Sequence, residues 1–380
     1  MNNLQDLRNK IDGIDDEIVK LFLQRMDIVK TVAEVKVQEN AQINNSKREK
    51  EILLRLTEKV PEELKSYLIE IYNTIFTTSK AYQGKFVKAS SKTALKIMEL
   101  SKGEFKDLPV CGNVACQGVE GAFSGIASEK FFKIANITYF KNFEGVFSAV
   151  DKGFCEYGVL PIENSTAGSV FEVYDLMKKH KFSIVRSIKL KVDHCLATNI
   201  GVELSDVKKV VSHKQALLQC SNYLKNLKVE CEIEDNTAIA AKKLKESGDT
   251  SVAVICSRKC AEEYSLKILD SGIQDSSKNY TRFILITKDM RIYNNSNKIS
   301  VMVSLEHTPG SLYKILGKFN ALNLNLTKLE SRPIVNSDFE FMFYFDFDGN
   351  VLDKEVLELL SELENSSENF IMLGAYKEIV

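Results

Sequence analysis

Near the N-terminus, Leu4, Leu7, Ile11, Ile14, Ile18 and Leu21 follow one another at intervals of three and four residues, and Ile28, Val32 and Val35 carry the row on. That spacing puts an apolar stripe along one side of an α-helix. Before Asn40 the stretch holds one glycine, Gly13, and no proline. The pattern predicts a helix of roughly 37 residues, about 55 Å long at 1.5 Å per residue. Two shorter helices are expected after it, from about Lys47 to Lys59 and from Glu62 to Gln83, with Pro61 between them. They are too short to cover the stripe. A partner helix is needed over most of its length, so a homodimer or higher homo-oligomer is expected.

Cations lie along the same helix. Arg25 and Lys36 are 11 residues apart, nearly on one face. Arg8 lies 17 residues before Arg25, roughly 260° round and about 25 Å away, too far to share their site easily within one chain. Asn45, Arg48 and Glu49, spaced i, i+3, i+4, share a face, and Gln83 closes the segment. These residues form either a solvated charged face or a site for an anion.

The segment resembles the all-helical class of chorismate mutase. Chorismate is a dianion, and its rearrangement breaks an ether bond without a nucleophile. Catalysis needs cations for two carboxylates and donors for the ether oxygen, which gains negative charge. The resemblance implies that Arg25, and Arg8 of a second copy, hold carboxylates. It implies that Lys36 and Gln83 donate to the ether oxygen, and that Arg48 and Glu49 orient the substrate. Asn45 stands where the family often has Asp, which implies weakened recognition of the substrate hydroxyl.

The run Tyr157-Gly-Val-Leu-Pro-Ile-Glu-Asn-Ser-Thr-Ala-Gly-Ser-Val-Phe-Glu-Val-Tyr174 reads as a buried strand, a polar loop and a helix whose apolar positions are Val170, Val173, Leu176 and Met177. The loop carries a carboxylate, an amide and three hydroxyls. Either it is a helix cap built from Ser165, Thr166 or Ser169, or it is a seat for a carboxylate or phosphate at a helix start. Pro161-Ile-Glu-Asn-Ser-Thr-Ala-Gly168 and Asn279-Tyr-Thr-Arg-Phe283 resemble the two signatures of prephenate dehydratases. That reaction removes CO2 and hydroxide together, so a donor is needed beside the leaving hydroxide. The resemblance implies that Thr281 is that donor and that Asn164, Ser165, Thr166 and Gln215 position the substrate. Arg282, on the opposite face of the strand from Thr281, is either a structural ion pair or a carboxylate clamp. Glu163 reads as structural or regulatory, His194 and His213 as acids or, the safer reading, buried hydrogen-bonded histidines, and Cys195 and Cys220 as core.

Strand and helix patterns alternate around these motifs. Val114-Ala-Cys-Gln-Gly-Val-Glu-Gly-Ala-Phe-Ser-Gly-Ile-Ala127 is strand, loop and helix, and Gly118 and Gly121 would let backbone pass close to a ligand. A second α/β set begins at Val192, with one helix expected over Gln215 to Leu224, and Thr281 to Ile286 returns to the first lobe. The expectation is a two-lobed, mainly parallel α/β domain of periplasmic-binding-protein type, with a cleft between the lobes. Ser212-His-Lys-Gln-Ala-Leu resembles a family motif that has Pro where Lys214 stands.

From Lys298 the order strand, helix, strand, strand, helix, strand is the ferredoxin-like α+β plan. Thr308-Pro-Gly-Ser-Leu312 and Glu330-Ser-Arg-Pro333 resemble the ACT domain, which binds amino acids. That implies a phenylalanine site at Thr308, Gly310, Ser311, Leu312, Glu330, Ser331, Arg332 and Pro333, with Ser311 where the family usually has Ala. The expected domains are helical 1–84, linker 85–109, dehydratase 110–290 and regulatory 298–380.

The net charge of −1 implies no bulk attraction to nucleic acid or membrane. The eight cysteines show no zinc spacing, so no metal and no cofactor are expected, and free thiols fit a reducing cytoplasm. The whole is similar to the bifunctional chorismate mutase/prephenate dehydratases, with phenylalanine as allosteric ligand. A two-lobed binding or sensor protein without catalysis is the alternative.

Overall fold

The apolar stripe forms a single helix, α1 (Leu4–Gln38), in the computed structural model, which describes residues 3–39, 45–84, 86, 91–305, 310–333 and 341–379. Only Val29 and Ala33 of α1 are buried, while Ile11, Ile14 and Ile18 stand 56%, 60% and 57% exposed. Two helices follow, α2 (Ser46–Thr57), capped by Asn45, and α3 (Lys65–Gly84), entered through a 3-10 turn after Pro61. Phe76, Ser79 and Gln83 form the buried face of α3. The stretch expected as a linker carries a further helix, α4 (Lys92–Ser101), which buries Ala94 and Ile97.

The first lobe of the α/β region holds β1 (Cys111–Gln117), α5 (Phe123–Phe131), β2 (Ile134–Phe140), α6 (Phe143–Asp151), β3 (Tyr157–Asn164), β4 (Gly168–Ser169), α7 (Phe171–His180) and β5 (Ser183–Lys191). The second lobe holds β6 (Cys195–Thr198), β7 (Lys209–His213), α8 (Lys214–Gln219), α9 (Ser221–Leu227), β8 (Glu230–Glu234), α10 (Thr237–Ser247), β9 (Val252–Cys256), α11 (Arg258–Glu263) and β10 (Lys267–Ser271). The chain returns as β11 (Tyr280–Thr287) and ends with β12 (Lys298–Leu305), α12 (Ser311–Ala321), β13 (Leu326–Pro333), β14 (Phe341–Asp348), α13 (Lys354–Ser366) and β15 (Phe370–Ile379).

Two compact units result, Met1–Gly103 with Val301–Phe370, and Glu104–Ser300 with Ile371–Val380. In the first, α13 receives α4, where the Thr93 N–H donates to Glu364 Oε2 at 3.0 Å, and Gly317 of α12 lies against Thr77 of α3. In the second, neighbouring strands run β15-β5-β11-β3-β1-β2 in the first lobe and β10-β6-β9-β7-β8 in the second. Val114, Tyr157, Val159, Phe283 and Leu285 fill the first lobe, and Leu196, Val210, Ala253 and Ile255 part of the second.

Both sheets are mixed, not mainly parallel. β11 runs antiparallel to β3 and β5, because it enters the first lobe on its way back from the second. β6 runs antiparallel to β9 and β10. The helix expected over Gln215 to Leu224 breaks at Cys220, where Asp275 takes the Ser221 hydroxyl at 2.8 Å and the Asn222 N–H at 3.1 Å, starting α9 afresh. Residues Lys377 to Ile379 of β15 pair with β5, so the last strand completes the second unit. Among the described residues, no helix is long and apolar enough to cross a membrane.

Candidate functional site

The antiparallel register sets Thr281 opposite Asn164, at the end of β3 and the start of β11. β3 does not run through a loop into a helix start. It turns back at Gly168 (φ +82) into β4, and Glu163 and Asn164 pair with Ser169 and Gly168. The following helix has Val170 as its N-cap, without a side-chain cap, so the capping role read for Ser165, Thr166 or Ser169 is overturned. Ser165 instead joins the strands, its hydroxyl donating to Lys278 O and accepting from Tyr280 N, each at 2.9 Å.

Asn164 is the hub. Its Oδ1 accepts the backbone N–H groups of Thr166 (3.0 Å) and Ala167 (2.9 Å) and the Thr166 hydroxyl (2.7 Å). Its Nδ2 donates to Asn279 Oδ1 (2.8 Å) and Thr281 Oγ1 (2.9 Å). Thr281 Oγ1 therefore accepts from Asn164, and its own proton is left to donate elsewhere. The second lobe adds Gln219 at the end of α8. Gln219 Oε1 accepts from Asn279 Nδ2 at 2.9 Å, and its Nε2 donates to Thr166 Oγ1 at 3.1 Å. Sequence reasoning had named Gln215, one turn earlier. That residue is half-buried and makes no side-chain hydrogen bond to Asn164, Thr166 or Thr281; its backbone N–H goes at 3.3 Å to Nδ1 of His213, which is exposed at the helix N-cap and not buried as expected. The signal available for Gln219 was its place one helical turn beyond Gln215 on the same face.

Arg282 points away from Thr281 and is 5% exposed. Its guanidinium contacts Glu163 at 3.3 Å, Glu378 at 3.0 Å and the Tyr376 hydroxyl at 2.6 Å. Glu378 also meets Lys189 at 2.9 Å. This buried cluster ties the site strand to β15. The glycine loop serves packing: a Cβ on Gly121 (φ +83) would come within 3.0 Å of Cys260 Cα in the second lobe. A cavity of about 520 Å³ opens between the lobes, lined by Gln117, Tyr139, Asn142, Glu172 and Asp235 among others. Cys195 and Cys220 are core residues, and all eight cysteines are free thiols.

In the first unit, the α1 cations face α3. Arg25 Nη1 donates to the buried Ser79 hydroxyl, and Lys36 Nζ to Gln83 Oε1 at 3.2 Å. Because the Gln83 oxygen is taken, its Nε2 is turned to donate elsewhere. Burial pulls the Lys36 ammonium below its ordinary pKa, with Glu49 opposing and Lys80 reinforcing. Glu49 pairs with Lys80 at 2.9 Å, Arg48 with Glu51 at 3.2 Å, and Asn45 Oδ1 accepts the Arg48 N–H at 3.0 Å. Arg8 lies exposed on α1 with no part in this group.

Gly310 (φ +83) is the N-cap of α12, and Ser311 and Leu312 open the helix half-buried. Glu330, Ser331, Arg332 and Pro333 end β13, paired with β14. Thr308 lies outside the described residues. A cavity of about 630 Å³ is lined by Glu49, Thr77, Gly310, Tyr313 and Gly317 among others.

These two groups of polar side chains lie in segments that match two enzyme families. Residues 7–84 match chorismate mutase type II, and residues 114–291 match prephenate dehydratase. A bifunctional chorismate mutase/prephenate dehydratase of Aquifex aeolicus is 32% identical over 99% of this chain and 98% of its own length. An arogenate dehydratase/prephenate dehydratase of Arabidopsis thaliana is 38% identical over 69% of this chain and 72% of its own. A prephenate dehydratase from Arthrobacter aurescens, solved in complex with L-Phe, superposes with a TM-score of 0.64 at 28% identity, covering 70% of this chain and 89% of that one. The chain is thus a two-activity enzyme, an isomerase joined to a lyase. It belongs to the family of bifunctional chorismate mutase/prephenate dehydratases, which displaces the reading as a sensor without catalysis.

Proposed function

We propose that the chain makes phenylpyruvate from chorismate with the residues named above. In the helical segment, Arg25 and the partner copy's Arg8 hold the substrate carboxylates, Lys36 and Gln83 donate to the breaking ether oxygen, and Arg48 and Glu49 orient the ring. Asn45 acts on this site by capping α2 and fixing Arg48. The exposed stripe of α1 supports a dimer built on that helix. In the cleft, Asn164, Ser165, Thr166, Gln215 and Gln219 position prephenate, and Thr281 donates to the leaving hydroxide. The carboxylate leaves as CO2, its electrons form the aromatic ring, and hydroxide departs on the other side. A threonine hydroxyl is too weak an acid to surrender its proton, so Thr281 acts as a positioned donor.

The observation that carries this reading is the polarity at Thr281, whose oxygen accepts from Asn164 and whose proton is therefore available. Mixing the protein with chorismate and following phenylpyruvate tests it. Prephenate accumulating without phenylpyruvate would remove the cleft from the reaction.

The β-α-β-β-α-β order supports a ferredoxin-like ACT module, and the L-Phe bound to the Arthrobacter relative supports phenylalanine as its ligand. A glycine at the start of α12 lets N–H groups approach a carboxylate. We place the site at Thr308 to Leu312 and Glu330 to Pro333, and the enzyme in the cytoplasm. Removing 298–380 would also remove Tyr376 and Glu378 from Arg282, so a point change is the better test. Gly310→Val, strained at φ +83, should abolish both the calorimetric heat of phenylalanine binding and the inhibition, leaving uninhibited turnover intact. No heat from the unaltered protein at millimolar phenylalanine would give this region a structural role only.

A further inference from the structure

We infer that His194, buried beside Gln219, supports the direction of the hydrogen bonds that end on the Thr281 hydroxyl by keeping its proton on Nε2. It is a positioning residue, and the inference rests on Thr281 being the donor to the leaving hydroxide.

The direction can be followed from a fixed end. Backbone N–H groups only donate, and those of Thr166 and Ala167 both meet Asn164 Oδ1. That atom is therefore the oxygen, and the Asn164 nitrogen faces Asn279 Oδ1 and Thr281 Oγ1. With its oxygen so engaged, Asn279 turns its nitrogen to Gln219 Oε1. Gln219 then turns its own nitrogen to Thr166 Oγ1. His194 Nε2 lies 3.0 Å from Gln219 Oε1, an atom with no proton to give. Nε2 must carry the proton. The opposite tautomer would set a lone pair against that oxygen and favour a flipped Gln219 amide. A flipped amide would bring NH2 against the Asn279 NH2, and because the backbone pins Asn164, the conflict would cost the Asn279 hydrogen bond that helps hold the Asn164 amide against Thr281.

His194 is well placed for such a task. It is 2% exposed. Its backbone N–H donates to Gln274 Oε1 at 2.9 Å, and its carbonyl accepts from Gly272 and Ile273. The ring stands edge-on to Phe123 at 6.2 Å. Its Nδ1 is buried without a partner among the described residues, so a second proton there would lack an acceptor. Burial also pushes the ring's pKa down, against the pull of Gln219 and Asp193, in keeping with a neutral ring.

Two measurements on the whole 380-residue chain test this. The chain has four histidines, so 15N-histidine labelling with long-range proton–nitrogen correlation resolves each ring, and His194→Gln assigns the missing one. The expected result is an Nε2–H tautomer that does not change between about pH 5 and 8. An Nδ1–H tautomer would overturn the inference. In kinetics, His194→Leu should lower the kcat for prephenate about tenfold with little change in KM, as loss of one positioned hydrogen bond implies. His194→Gln, whose amide can donate from the same place, should recover most of it. A folded His194→Leu with unaltered kcat would also overturn the inference. If Thr281→Val is itself fully active, the reading of Thr281 has failed instead, whatever the tautomer.

Discussion

In the cleft, Asn164 meets Thr281 across a strand pair, and Gln219 reaches Asn279 and Thr166 from the other lobe, all within one chain. The helical segment offers less. Arg25 and Lys36 have found Ser79 and Gln83, yet Arg8 lies apart, and Ile14 and Ile28 on the same helix are 60% and 65% exposed. Sheet ends bring distant residues together because neighbouring strands are only about 5 Å apart. A helix of 35 residues spreads its side chains over about 50 Å, so the two ends of its face cannot share one site within a chain. On the proposed reading, the two activities place opposite demands on assembly: the lyase site would be complete in a monomer, and the mutase site would be finished by a second copy.

The largest expected effect breaks the comparison from the cleft side. Thr281→Val keeps the shape and removes the donor, and should lower dehydratase kcat by about 10²- to 10⁴-fold with KM little changed. Mutase turnover should be unaffected, and steady-state assays with each substrate check both. On the helical side, Lys36→Ala should lower mutase kcat by about 10²- to 10³-fold and spare the dehydratase. Equal loss of both activities would mean unfolding.

A smaller effect sharpens what holds the cleft strand. Burial alone would raise the Glu378 carboxyl, but Arg282, Lys189 and Lys298 outweigh it and hold it below its usual range. A carboxyl lowered on folding stabilises the protein above its unfolded pKa, and that stability is lost as pH falls through the folded one. Glu378→Gln should cost about 1–3 kcal/mol at pH 7 and flatten the loss of stability in acid. Melting curves between about pH 3 and 7 would read both.

Local patterns were legible in the sequence wherever local physics decides the structure. The 3–4 spacing gave α1, and the alternating motifs gave two lobes and the return of β11. The signatures singled out Thr281 and Asn164, which the structure sets side by side. The hydrogen bonds of Gln219 and His194 to this group could not be read, because a lone amide or imidazole at a helix end or strand edge looks like any polar residue until the lobes meet. The mixed sheet direction was misread for the same reason, since antiparallel pairing of β11 is a non-local fact. The contribution of β15 to the catalytic unit could not be read at all, because its partners Arg282 and Lys189 lie 96 and 189 positions from Glu378 along the chain.

The contrast between a self-contained cleft and a shared helical site is tested most directly by mixing inactive variants. Chains carrying Arg8→Ala are unfolded and refolded together with chains carrying Lys36→Ala, and mutase turnover is measured. If Arg8 serves the partner's site, each mixed dimer has one site with both residues intact, and about a quarter of normal turnover returns. A parallel mixture of Thr281→Val with Asn164→Ala should regain no dehydratase turnover, because both residues of that cleft come from one chain. No recovery in the first mixture, or recovery in the second, would contradict the account.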